Sequence, residues 1–170
     1  MKIFIWILAV FSLLVLQNGV LAPLHLMPAN LILVLMIMAL LFDGIQTALI
    51  ICLSGGIMLD FLAGANLGQV TLALLFTALI SFTLFELFIS REPNWMLVAV
   101  CVAGVTGLFA VGFALSNWLF GSLGIGLDLI SKSFWTNQFP LSLIFNLIFA
   151  YPVAKYFSLT QFVYAKSIRH

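Results

Sequence analysis

The sequence predicts an all-α protein, a polytopic membrane bundle of six transmembrane helices. Three observations carry this reading. Of 170 residues, 65% are apolar and only 6% are charged, against about 25% charged residues in a soluble domain. The apolar residues form continuous runs, and short polar or proline-containing stretches separate them. The runs do not alternate with polar residues, as the roughly 10-residue strands of a membrane β-barrel would. A surface this poor in charge associates in water. In a bilayer each backbone polar group must be satisfied within the protein, and a helix does this by itself. A span takes about 20 residues, so the length permits about six, in one transmembrane domain over 1–170 with no room for a soluble catalytic domain.

The first span is expected over 3–22. Lys2 before an apolar run resembles a secretory leader, but no A-x-A-like site ends the run and Pro23 follows Ala22 directly, so an uncleaved helix is expected. Pro23 and Pro28 punctuate the loop that follows, each biasing its preceding residue away from helix. The second span, 29–42, is short, which calls for little tilt or a thinned bilayer. Asp43-Gly44 makes a tight turn into the third span, 45–62, and Ala63-Gly64-Ala65-Asn66 leads to the fourth, 67–89. Ser90-Arg91-Glu92-Pro93-Asn94 is the most polar stretch and reads as a loop before the fifth span, 95–120. Residues 121–138 begin Gly-rich and turn amphipathic, with Asp128 and Lys132 four apart and Phe134-Trp135 after them. An interfacial helix anchored by its aromatics is expected there. The sixth span, 139–157, precedes a short polar tail.

The positive charges orient the bundle. With six spans, Lys2, Arg91, Lys155, Lys166 and Arg169 share one side and only Lys132 lies on the other. Both termini are therefore expected in the cytoplasm, in a multi-pass membrane protein. The near-zero net charge argues against nucleic acid as a partner.

Small residues let membrane helices approach closely. Ala48, Cys52, Gly56 and Asp60 fall on one ridge of the third span, and Ala99, Ala103, Gly107, Ala110 and Ala114 on a ridge of the fifth. Each ridge either packs inside the bundle or docks another membrane protein. Asp60 is the most informative residue. A carboxylate at a helix C-terminus is disfavoured by the macrodipole, and ionisable groups at membrane depth mark a specific pairing or a function. Three readings stand: a cap on the turn after the third span, a partner contact, or proton or ion transport. Glu86 snorkels toward the Arg91 loop. Asn18, Asn30, Gln69, Asn117 and Asn146 are candidates for hydrogen bonds between helices. Cys52 and Cys101 lie in apolar runs as packing residues, and His25 and His170 have no carboxylate or cysteine cluster nearby in sequence. No metal-ligand spacing, nucleophile–base pattern or phosphate-binding glycine motif is present. No catalytic residue, cofactor or metal is expected.

One segment carries a family resemblance. Pro28-Ala29-Asn30-Leu31-Ile32-Leu33, Asp43-Gly44, Gly55-Gly56-Ile57-Met58-Leu59-Asp60, Gly64 and Leu67-Gly68 together resemble MreD, the rod shape-determining membrane protein family of bacteria. The specific part covers about 40 residues, and the rest agrees in hydropathy and topology. The positions matched by motif are Pro28, Gly56, Asp60, Gly64 and Gly68, as partner-docking or structural residues. The resemblance implies a six-helix fold similar to the substrate-binding subunits of energy-coupling-factor transporters. It implies a non-enzymatic scaffold subunit of the cell-elongation complex. Its implied partners are an MreC-like single-span protein, a RodA-type glycosyltransferase with its transpeptidase and, indirectly, MreB filaments. Two other functions compete with it. A substrate-binding subunit of a vitamin-type transporter needs a cavity with convergent polar groups, for which Asn117, Trp135, Gln138 and Asn146 are scattered candidates. A proton-coupled transporter through Asp60 and Glu86 needs a relay, and the expected topology puts those two at opposite faces.

Overall fold

A computed structural model describes residues 2–21, 30–63, 67–88, 95–124 and 134–167, and every helix below lies within them. Six α-helices follow in order: α1 Lys2–Leu16, α2 Leu31–Phe42, α3 Ile45–Ala63, α4 Gln69–Phe88, α5 Trp95–Ser122 and α6 Phe139–Ser167. A π-helical turn, Gln17–Leu21, extends α1, and another, Phe134–Gln138, leads into α6. Three stretches are long and apolar enough to cross a membrane, Ile45–Leu62, Gln69–Leu87 and Met96–Ser122. Each is only 33–39% buried inside the bundle. Their outward faces are nonetheless apolar, with Phe61, Leu79 and Val100 each more than half exposed. Helices apolar on every side are stable only when protein or lipid surrounds them.

The layout centres on α2. It touches each of the other five helices, while α3, α4, α5 and α6 pack successively on one another and α1 lies against α3 and α2. Every side chain from Leu31 to Leu40 is buried. Such a helix meets protein rather than lipid along its sides, so its length is not set by the bilayer. Twelve residues make a helix of about 18 Å, short of the roughly 30 Å hydrocarbon core. Neighbouring helices sheathe α2 over most of its length. Its walls include a close approach to α3, where a Cβ on Gly55 would sit 2.5 Å from Ile32 Cγ2.

Local chemistry sets the ends of α2. Asn30 caps its N-terminus, the side chain accepting from the Leu33 N–H at 3.0 Å, as a short amide at this position does. At the other end the N–H groups of Asp43 and Gly44 both donate to the Ala39 carbonyl at 2.8 Å, and Gly44 has φ +96°. A left-handed glycine just past a helix is the common stop. The Thr47 hydroxyl then donates to the Asp43 carboxylate, and α3 starts after a two-residue link.

The helix boundaries differ from expectation mainly around α6. α5 runs two residues into the expected interfacial segment, and Phe134–Gln138 is wound directly onto α6. The two ends of 121–138 thus belong to the flanking helices. Residues 125–133, with Asp128 and Lys132, lie outside the described residues. α6 continues ten residues past 157. Between 158 and 167 there is no Gly or Pro to stop it, whereas falling hydropathy, the basis for ending it earlier, does not by itself break a helix.

Enclosure of α2 has a measurable consequence. Ile37→Ala, at a fully buried position, should cost about 2–5 kcal/mol through the cavity it leaves. Leu79→Ala, at a position 53% exposed, should cost under about 1 kcal/mol. Unfolding of the two variants in the same detergent compares them, and equal losses would contradict the central placement of α2.

Candidate functional site

The junction of α3 and α4 gathers the sequence-predicted residues. Asp60 lies in the last turn of α3 and is 1% exposed. Its Oδ1 accepts the Val70 N–H at 2.7 Å. Its Oδ2 accepts the Gly68 N–H at 2.9 Å, the Thr71 N–H at 3.3 Å and the Thr71 hydroxyl at 2.6 Å. The first N–H groups of a helix have no partner within it. Here a carboxylate from the preceding helix supplies one. Its placement at the C-terminus of α3 is unfavourable, but it also sits at the N-terminus of α4, where negative charge is stabilised by the helix dipole. With its oxygens engaged by four donors, Asp60 acts as a latch between two helices.

Two of the three matched glycines, Gly56 and Gly68, serve the same junction. Gly68 has φ +98°, the left-handed region that side chains with a Cβ avoid, and this turns its N–H toward Asp60. Gly56, one helical turn before Asp60, lets the backbones meet. A Cβ there would lie 2.7 Å from Thr71 Cα and 2.8 Å from Thr71 Oγ1. One turn further back the Cys52 thiol reaches the Leu74 carbonyl at 3.6 Å. Ala48, Cys52, Gly56 and Asp60 are all buried, and the last three of this ridge face α4. Gly56, Asp60 and Gly68 are thus brought together. Pro28 and Gly64 lie outside the described residues.

The α5 ridge is divided. Ala110 is buried, Ala99, Ala103, Gly107 and Ala114 are half-buried, and a Cβ on Gly107 would meet nothing within 4 Å. The close approach to α4 is made instead by Gly112, whose Cβ would lie 3.3 Å from Thr77 Oγ1 and 3.4 Å from the Ala73 carbonyl.

Asparagines and glutamines join the helices at further points. Asn146, fully buried in α6, accepts the Asn30 N–H at 2.9 Å. Its amide donates to Thr106 Oγ1 of α5 at 3.2 Å and to Ser142 Oγ at 3.5 Å. Gln17 accepts the Leu31 N–H at 3.2 Å, and the Gln69 amide donates to Asn117 at 3.0 Å. Asn18, expected to bridge helices, instead donates to the Leu14 carbonyl within its own helix at 3.0 Å. Sequence reasoning missed Gln17, Thr71 and Thr106. Thr71 had a readable signal, a hydroxyl in the first turn of a helix that follows a glycine. Thr106 had none, since its partner is 40 residues away in sequence.

Of the four candidates for a ligand site, Asn117 and Asn146 are engaged in the bonds just described, and Trp135 and Gln138 are exposed. Among the described residues, no three His, Cys, Asp or Glu side chains gather as a metal site. An open groove of about 580 Å³ between α1 and α3 is lined by apolar side chains and Asn18. No protein-family model matches this chain, and no curated protein or solved structure matches it either.

Proposed function

We propose that this chain is a non-enzymatic scaffold subunit of the bacterial cell-elongation complex, of the MreD type. In this reading it sits in the inner membrane and links an MreC-like single-span protein and the peptidoglycan synthases to cytoplasmic MreB. The observation that favours it is the convergence of Gly56, Asp60 and Gly68, three of the five motif positions, on one latch between α3 and α4. A motif whose members build a helix junction suits a protein that works through its shape and its neighbours. Depleting the protein in its bacterial host should round the cells, and the tagged chain should recover an MreC-like partner. Normal rods with no such partner overturn the reading. A small molecule co-purifying with the detergent-extracted chain, together with an ATPase pair, would replace it with the transporter-subunit reading.

The proposal includes six spans with both termini in the cytoplasm, supported by the five-to-one distribution of Lys and Arg. Fluorescent-protein fusions at either terminus should fluoresce, and alkaline phosphatase fused there should stay inactive. Opposite results at the two ends would require an odd number of crossings.

A further inference from the structure

We draw no further inference here: the strongest candidate, the apolar groove between α1 and α3 lined by Phe11, Leu14, Asn18, Met58 and Phe61, carries nothing because nothing in the structure shows what covers it.

Discussion

Asp60→Ala should lower the stability of the detergent-solubilised protein by about 3–5 kcal/mol. Four donors converge on this carboxylate, and each buried donor left without a partner costs about 1–3 kcal/mol. The total stays below the simple sum because Gly68 is only half-buried and water can reach its N–H. Asp60→Asn keeps one acceptor oxygen but places an NH₂ among N–H groups, so roughly half the loss is expected. Thr71→Val removes only the hydroxyl bond and should cost about 1 kcal/mol. Heat treatment followed by size-exclusion chromatography ranks the series. A wild-type melting profile for Asp60→Ala would show that the latch does not hold α3 to α4.

Gly56→Ala should be one of the two most damaging changes among the described glycines of the helix interiors. The new methyl would meet Thr71 Cα at 2.7 Å, and a backbone atom cannot swing aside as a side chain does. Overpacking of this kind costs about 1–3 kcal/mol, and spreading the helices would also pull Thr71 from Asp60. Gly55→Ala is the informative neighbour. Its methyl would meet Ile32 Cγ2 at 2.5 Å, a branch of a fully buried side chain held in one rotamer, so a comparable loss is expected. Gly104→Ala meets nothing within 4 Å and should be neutral or stabilising by up to about 1 kcal/mol, because alanine is the better helix former. Unfolding midpoints for the three variants test this order. Equal behaviour at 56 and 104 would mean that α3 and α4 do not touch at Gly56.

The α3–α4 hairpin was readable because its determinants are close in sequence. Gly56, Asp60, Gly68 and Thr71 span sixteen residues, and helical spacing alone puts Gly56 and Asp60 on one face. Helix positions were readable too, since apolar runs and the breaks between them mark spans directly. Which way each helix faces was not. In a soluble protein the polar side of a helix reveals its orientation, but in this chain the lipid-facing and protein-facing sides are both apolar. For the same reason the ridge of small residues from Ala99 to Ala114 did not reveal that the close approach of α5 to α4 is at Gly112. The enclosure of α2 had one trace, its length, which fits a helix that most lipid never reaches. Asn30 and Asn146 were each readable as residues that bond between helices, but not as partners, because 116 residues separate them.

That long separation bears on how the protein is made. As the chain emerges, α2 is made long before α5 and α6 exist, so part of its sheath is absent during synthesis. The Asn30 N–H, which Asn146 accepts in the finished bundle, waits for the last helix. In that interval α2 has only α1, α3 and α4 of its eventual neighbours to pack on. The arrival of α6 therefore closes the structure, and a nascent chain cut short before Asn146 should remain open to membrane proteases until degraded.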